Sequence, residues 1–200
     1  MRQKIDQSKH RMICIAIFLV AIPMINPPTA QGFVQKAVDK LLDDRNCVRC
    51  DLRGANLSAK NLRAAHLMGA YLIGTNLSGS NLAGADLRGA WLTRANLKRA
   101  NLHGADLRGA RLVGADMAGA NLRMTDFRDA SLAGANLTGA RLKEANFLGA
   151  TLHSAKFNQV LGLMQKQIEQ ACGNAETIVP PGIEIPKCSE NIQRVRREKL

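Results

Sequence analysis

Two cysteines separated by two residues, Cys47 and Cys50, are the clearest candidates for chemistry in this chain of 200 residues. A CxxC pair can form a structural disulfide, exchange thiols as a redox centre, or supply two ligands to a zinc ion. Covalent haem attachment would require histidine at the next position, which Asp51 occupies instead. We therefore predict a structural role for the pair, as a disulfide or as buried thiols, with redox activity and metal binding as alternatives.

Two further cysteines, Cys172 and Cys188, bracket a segment that contains prolines near the end of the chain. A disulfide between them would tie this tail to the residues that precede it. Four cysteines allow three pairings, and the sequence alone does not choose among them.

The first 30 residues have the pattern of an export signal. Basic residues precede an apolar stretch, Ile13–Ile25, and the small residues Thr29 and Ala30 follow it. The stretch is shorter than the roughly 20 residues that span a membrane. We therefore predict a signal peptide over residues 1–30 and a periplasmic or secreted protein, with an uncleaved N-terminal membrane anchor as the alternative. Disulfides would be stable in such a compartment.

The middle of the chain, from Cys50 to Gln159, divides into 22 pentapeptides without an insertion. Each has a large apolar residue at its centre, and all but the one with Lys60 have a small residue two positions earlier. Most have Asn or Asp just before the centre and Gly two positions after it. A period of five gives an α-helix no constant face, because five residues advance it by about 500°. It would also send alternate leucines of a continuous strand to opposite faces. The chain must therefore turn within every pentapeptide, which predicts an all-β solenoid.

The repeated motif A-(D/N)-L-x-G, seen in AGADLRGAWL and AGANLTGARL, resembles that of the pentapeptide-repeat proteins. The resemblance implies a right-handed quadrilateral β-helix with four pentapeptides per coil, in which the central residue and the residue two before it point inward. At about 4.8 Å per coil, the repeats would form a rod roughly 26 Å long. Phe127 and Phe147, one coil apart, are expected to stack. Lys60 occupies an inward position, so we expect a distorted corner there or an ammonium that reaches solvent.

In such a coil, residues 20 positions apart lie above one another, so the sequence can be sorted into columns. One face would carry a charged ladder, with three acids before the centres and three bases after them: Asp86, Asp106, Asp126, Arg88, Arg108 and Arg128. We predict that these charges compensate one another, with a guanidinium ladder that binds an anionic polymer as the alternative. Two other faces carry columns of Asn, which are expected to bond along the stack.

Another face would place Tyr71, Trp91 and Arg111 in one column, with Arg111 stacked on Trp91. We predict that these three residues form a partner-contact patch, since two rings are too few for a nucleic-acid platform. The histidines after the leader, His66, His103 and His153, would lie on three different faces. We therefore predict no catalytic set, no metal and no cofactor.

The charge of the repeat region bears on its partners. Some members of the family bind DNA gyrase and imitate the shape and negative potential of DNA. Residues 50–159 carry 14 Lys and Arg but 7 Asp and Glu, so this rod has the wrong sign for a DNA mimic. The excess is spread over four faces and gives no clear nucleic-acid site. An anionic envelope polymer or lipid headgroups would suit it better.

The ends of the coil need covering, because an open solenoid exposes unpaired strand edges. We predict an N-terminal cap helix and the CxxC pair over residues 31–49, the β-helix over 50–159, and a C-terminal cap helix with a proline-containing tail over 160–200. The apolar spacing places the second helix at Leu161–Cys172. A homodimer through this helix is a further expectation.

These features favour a non-enzymatic, exported scaffold or protein-interaction module of the bacterial envelope, whose partner is an unknown protein or an anionic envelope molecule. A thiol-disulfide or metal-linked protein that uses Cys47 and Cys50 is the alternative, and a gyrase-binding DNA mimic is less favoured.

Overall fold

The computed structural model describes residues 30–188. In this range the chain forms helix α1 (Ala30–Asp44), a long coil and the four-residue helix α2 (Gln165–Ile168). The signal peptide predicted over residues 1–30 lies outside the described residues except for Ala30. Among residues 30–188, no helix is long and apolar enough to cross a membrane.

Single-residue parallel pairings, each between positions 20 apart in the sequence, hold the coil together. They begin with Asn46 and His66 and recur every five residues as far as Arg141 and Leu161. Each coil therefore has four sides of five residues. We number the faces by the first paired residue of each: face 1 from Asn46, face 2 from Asp51, face 3 from Asn56 and face 4 from Asn61. In this order, face 2 is opposite face 4.

The interior of the coil is one continuous apolar core, built from large side chains at the centres and small side chains two positions before them. Every central residue from Cys47 to Phe157 is fully buried, and the alanines two positions before the centres are buried beside them. The predicted inward positions are therefore confirmed. The predicted stack is also present, since the rings of Phe127 and Phe147 are 5.1 Å apart and nearly parallel. Phe157 meets Phe147 edge-on across the core, at 5.9 Å between ring centroids.

Polar residues at inward positions are accommodated in two ways. Lys60 is exposed, and its backbone keeps the regular hydrogen bonds of the coil, so the side chain reaches solvent and the corner is undistorted. Thr75 is fully buried and donates its hydroxyl to the carbonyl of Leu52 at 2.7 Å. Two other buried hydroxyls, those of Ser80 and Thr125, also donate to main-chain carbonyls. A buried hydroxyl is tolerated because it is hydrogen-bonded.

The second residue after each centre, which we call the corner position, adopts a left-handed conformation throughout the coil. From Arg49 to Gln159, thirteen corner positions are glycine and ten are other residues, and all have positive φ. A residue with a Cβ in this conformation costs about 1–2 kcal/mol. The stacked coil therefore imposes the turn whether or not glycine is present.

Helix α1 lies over the N-terminal end of the core. Val38 and Leu41 are buried in the same apolar cluster as the coil, and Val34 and Ala37 pack against it. The regular pairing begins at Asn46, four residues before the start expected from the sequence. Burial of these four side chains on one stripe is the reason why this segment is helical.

The C-terminal helix predicted over Leu161–Cys172 is wrong in extent, because helix α2 contains only Gln165–Ile168. Leu161 pairs with Arg141 and Cys172 pairs with Thr151, so both ends of the segment continue the coil. Of the predicted apolar face, Ile168 is buried whereas Leu161 is 60% exposed. The predicted homodimer through this helix therefore has only one turn of helix available among the described residues.

The tail after Cys172 follows the coil for part of a further turn. Ile178 pairs with Lys156, and Gly173 pairs with Lys187. The hydroxyl of Thr177 donates to the carbonyl of Leu152 at 2.9 Å. These bonds satisfy part of the last edge of the coil, as natural solenoids require.

Candidate functional site

The four cysteines of the described chain lie in two pairs. The Sγ atoms of Cys47 and Cys50 lie at bonding distance, and so do those of Cys172 and Cys188. Cys47 is fully buried, and its Sγ lies 3.4 Å from the carbonyl oxygen of Ala37 in α1. Helix α1 therefore packs against the Cys47 sulfur.

No group of three His, Cys, Asp or Glu side chains in residues 30–188 is placed to hold a metal ion. The predicted separation of the histidines holds. His66 pairs within face 1, whereas His103 follows the centre of a face-4 repeat and His153 that of a face-2 repeat. These side chains therefore do not converge on one centre.

In the charged ladder on face 1, each arginine is paired with the aspartate two positions before it. Arg88 donates through Nε and Nη2 to the carboxylate of Asp86, at 2.8 and 2.7 Å. Each pair also reaches the next coil, since Arg88 Nε lies 3.8 Å from the nearest carboxylate oxygen of Asp106. The same arrangement joins Arg108 to Asp106 and Asp126, and Arg128 to Asp126. The prediction of charge compensation is confirmed, and these guanidinium groups are already engaged.

The ladder changes the pKa of its carboxylates. Hydrogen bonds from the Arg88 side chain hold the pKa of Asp86 below its usual value, aided by the Arg88 backbone N–H, which donates to the same carboxylate. For Asp126, partial burial raises the pKa, but the hydrogen bonds and charge of Arg128 outweigh burial and lower it. The ladder therefore favours ionised carboxylates at neutral pH.

Asparagine columns on faces 3 and 4 link neighbouring coils. The side-chain amide of Asn96 donates to Asn76, and that of Asn121 donates to Asn101 at 2.9 Å. The oxygen of Asn101 also accepts the backbone N–H of His103. The Asn side chains therefore bond along the stack and to the backbone, as the sequence predicted.

Tyr71, Trp91 and Arg111 form one continuous column on face 2. The Tyr71 and Trp91 ring centroids are 5.7 Å apart with the planes tilted by 46°, and the guanidinium carbon of Arg111 lies 3.9 Å from the Trp91 centroid. The predicted stacking of Arg111 on Trp91 is confirmed. Because Tyr71 belongs to the preceding coil and Arg111 to the following one, they approach the indole from opposite sides. A base or a sugar ring would need one of these sides free.

Apolar residues lie beside this column. Val113, two residues after Arg111, is 41% exposed, and Tyr71 is also 41% exposed. Ile73 and Trp91 are half-buried. The combination of two aromatic rings, one guanidinium and an apolar border is typical of protein contacts.

An open groove of about 550 Å³ lies between α1 and the first coil, and the sequence analysis did not find it. Val34, Val38 and Ala55 line it together with Asp51 and Arg53. Arg53 donates two hydrogen bonds to Asp51, at 2.8 and 2.6 Å, so these two charges satisfy each other. The groove depends on the position of α1 over the coil, which no local pattern in the sequence specifies.

Comparison with known proteins gives one family and several similar structures. A family model described as pentapeptide repeats matches in eight copies, over residues 46–82, 80–119, 95–132 and 120–159. No curated protein sequence matches the chain. The matched residues run from the first paired residue of the coil, Asn46, to its last corner, Gln159.

The similar solved structures include a pentapeptide repeat protein of the Arabidopsis thaliana thylakoid lumen, which is 32% identical over 62% of this chain and 83% of that chain, with a TM-score of 0.47. A pentapeptide repeat protein from the cyanobacterium Cyanothece 51142 is 25% identical over 73% of this chain and 99% of that chain, with a TM-score of 0.28. QnrB1, a plasmid-mediated fluoroquinolone resistance protein, is 19% identical over 78% of this chain and 86% of that chain, with a TM-score of 0.30.

Proposed function

This chain belongs to the pentapeptide repeat family, and we propose that it is a non-enzymatic, exported scaffold of the bacterial envelope that binds a partner protein through face 2. In this proposal the coil is the right-handed quadrilateral β-helix of the family, with α1 and the tail as its caps. The two cysteine pairs at bonding distance support an oxidising compartment.

The observation that carries this proposal is the column of Tyr71, Trp91 and Arg111. Tyr, Trp and Arg are the residues most enriched among those that dominate binding energy at protein interfaces. The stack already holds the Trp91 ring between its neighbours. A partner would therefore find an ordered surface, and little side-chain entropy would be lost on binding.

The geometry favours a protein over a nucleic acid or a glycan. Stacking ligands lie flat on a ring, and the Trp91 ring already has Tyr71 on one side and Arg111 on the other. The ring edges and the adjacent side chain of Val113 remain for contact. A protein surface with its own apolar side chains matches such an arrangement.

The proposal is tested by capture of partners from an envelope fraction with the purified protein as bait. Trp91→Ala and Arg111→Ala should each lower recovery of the specific partner at least tenfold, and that partner should then bind the wild-type protein directly in purified form. Lys156→Ala, which removes an exposed base from face 3, is the control and should leave recovery unchanged. Retention of every partner by both face-2 variants would refute the proposal.

The thiol-disulfide alternative is less well supported, because Cys47 is fully buried. A redox-active pair would react with a small alkylating reagent after mild reduction and would reduce a disulfide in a test protein. We expect Cys47 to remain unreactive until the protein is denatured. Rapid alkylation of native Cys47 would instead favour the redox function.

The gyrase-binding alternative predicts inhibition of DNA supercoiling by the purified protein. The positive charge of the repeat region argues against it, since a DNA mimic must be negative. We expect no inhibition at micromolar protein concentrations.

A homodimer through the C-terminal end is a separate proposal, which sedimentation of the purified protein tests.

A further inference from the structure

The basic residues of the coil are unevenly divided among its faces, and face 4 has the largest excess. Five bases lie on this face, with Glu144 as its one acid among the described repeats: Lys60, Arg63, Arg123, Arg141 and Lys143. All five bases are exposed. Face 4 therefore has a net charge of +4, which is the largest share of the net charge of +7 of residues 50–159.

Most bases of face 4 have no acidic partner among the described residues, a property that they share with Arg94 and Lys156 on faces 2 and 3 but not with the arginines of the charged ladder. On face 1 the arginines of the charged ladder are bonded to aspartates, and on face 3 Lys98 lies 3.1 Å from Asp116. On face 4, within residues 30–188, the closest ion pair is Lys143 with Glu144 at 3.9 Å. Arg123 and Arg141 have no carboxylate within ion-pair distance in the same range. Their charge is available to an outside anion.

Exposed apolar side chains are gathered at the C-terminal half of the same wall. Leu161, Met124 and Met164 are 60%, 55% and 53% exposed, the highest values among the large apolar residues of the described chain. Leu161 pairs with Arg141, and the backbone N–H of Met124 donates to the carbonyl of Lys143 at 3.0 Å. Met164 follows three residues after Leu161, at the start of α2. Leu161 and Met124 therefore lie beside basic residues on this wall, and Met164 is close to them in the chain.

We propose that this surface, which we call the face-4 patch (Arg123, Met124, Arg141, Lys143, Leu161 and Met164), binds an anionic lipid bilayer. Basic side chains attract acidic headgroups, each raising membrane partitioning by about fivefold near the surface. Apolar side chains beside them enter the boundary between headgroups and acyl chains. A soluble polyanion would use the bases but would gain nothing from three exposed apolar side chains.

The position of the face-4 patch also fits the proposed function of face 2. Stacked coils make each side of the rod a nearly flat wall, which suits the plane of a bilayer. Face 2 is opposite face 4, so a chain that lies on the membrane through face 4 presents Tyr71, Trp91 and Arg111 to the aqueous side. The lipid-binding proposal does not depend on the face-2 proposal, because the two surfaces share no residue.

Vesicle sedimentation with the full chain tests the basic half of the face-4 patch. The wild-type protein should bind phosphatidylcholine vesicles that contain phosphatidylglycerol far better than vesicles of phosphatidylcholine alone. The double variant Arg123→Glu/Lys143→Glu should lower partitioning at least tenfold. The control is Arg94→Glu/Lys156→Glu, which makes the same charge change at exposed residues of faces 2 and 3 and should stay within twofold of wild type. Equal losses in the two variants would show a bulk charge effect and overturn the proposal.

The contribution of the apolar residues of the face-4 patch is tested with a second pair of variants, in which the net charge is unchanged. Met124→Ser/Leu161→Ser should lower partitioning at least fivefold, whereas Met68→Ser/Val113→Ser on faces 1 and 2 should have little effect. Circular dichroism establishes that each variant is folded, and all variants keep residues 1–30, so any contribution of the leader is equal. If the charge variant loses binding but Met124→Ser/Leu161→Ser does not, the ligand is a soluble polyanion or an acidic protein, and the lipid proposal fails.

Discussion

Arg88 joins two coils, because it donates two hydrogen bonds to Asp86 in its own repeat and lies 3.8 Å from a carboxylate oxygen of Asp106 in the next. The same contacts recur one coil later. Face 1 is therefore a continuous chain of alternating charges. Single exposed ion pairs contribute little to stability, but a network shares the cost of ordering its side chains.

The charged ladder predicts a loss of stability in acid. The pKa values of Asp86 and Asp126 are lower in the folded protein than their ordinary value near 3.8, so their ion pairs stabilise the fold above that pH. This stabilisation disappears as pH falls through the lowered pKa values. The melting temperature should fall steeply below about pH 4, and Asp86→Asn/Asp126→Asn should show a shallower fall. Asp43→Asn in α1 is the control, and an unchanged slope in the ladder variant would contradict the prediction.

The contact between Arg111 and Trp91 predicts a change in tryptophan fluorescence. This change can be assigned to one residue, because Trp91 is the single tryptophan of the chain. Arg111→Ala uncovers one side of the indole and should shift its emission to longer wavelength. Iodide should then quench it more strongly. Arg53→Ala, at the N-terminal end of the same face, should leave both properties unchanged. Identical quenching of the Arg111 variant and the wild type would mean that the stack does not form in solution.

Two glycines with similar backbone conformation should respond differently to alanine. Gly139 has φ of 68°, and no atom lies within 4 Å of the place that a Cβ would occupy, whereas at Gly162, with φ of 75°, a Cβ would lie 3.1 Å from the backbone nitrogen of Lys143. Gly139→Ala should cost about 1 kcal/mol from the left-handed conformation alone. Gly162→Ala should cost more, because backbone of the adjacent coil cannot move aside easily. Chemical denaturation measures both, and equal costs would refute the distinction.

The pair formed by Cys172 and Cys188 predicts local protection of the tail. Closing a loop between residues 16 apart stabilises the closed segment by about 3 kcal/mol. Cys172→Ser/Cys188→Ser should therefore make the tail a substrate for a glutamate-specific protease at Glu176 and Glu184. The coil itself should keep its melting temperature within a few degrees. Cys47→Ser/Cys50→Ser is the matched control, and it should leave cleavage of the tail unchanged. Equal resistance of the tail in the wild type and in Cys172→Ser/Cys188→Ser would contradict the prediction.

The repeat region could be predicted closely because its structure is periodic. Once a coil takes 20 residues, the neighbours of any side chain are fixed by arithmetic, which is why the ladder from Asp86 to Arg128 and the contact of Arg111 with Trp91 were found from the sequence. The exposure of Lys60 followed from the cost of burying an ammonium group. In these cases the contacts lie between adjacent coils, so no distant part of the chain is needed to place them.

The C-terminal region could not be predicted in the same way. Leu161 still pairs at the regular spacing, 20 positions after Arg141, but Cys172 pairs with Thr151, 21 positions before it, so the period of five fails beyond Leu161. The apolar residues of Leu161–Cys172 also have the spacing of a helix. Because the segment was interpreted as a helix, the pairing of Leu161 with Arg141 was not predicted. The face-4 patch was missed for this reason. The period of five does not place Met164, which lies at the start of α2, where the regular repeat has ended.

The corner positions suggest how such a protein can gain new surface properties. Ten of them carry a side chain despite the left-handed backbone, including Met124 and Arg94. A substitution there leaves the buried centre, the small residue and the pairing of the coil unchanged, and its cost is local. A substitution at a corner position can therefore place a new side chain on a chosen face and in a chosen coil without altering the register of the β-helix.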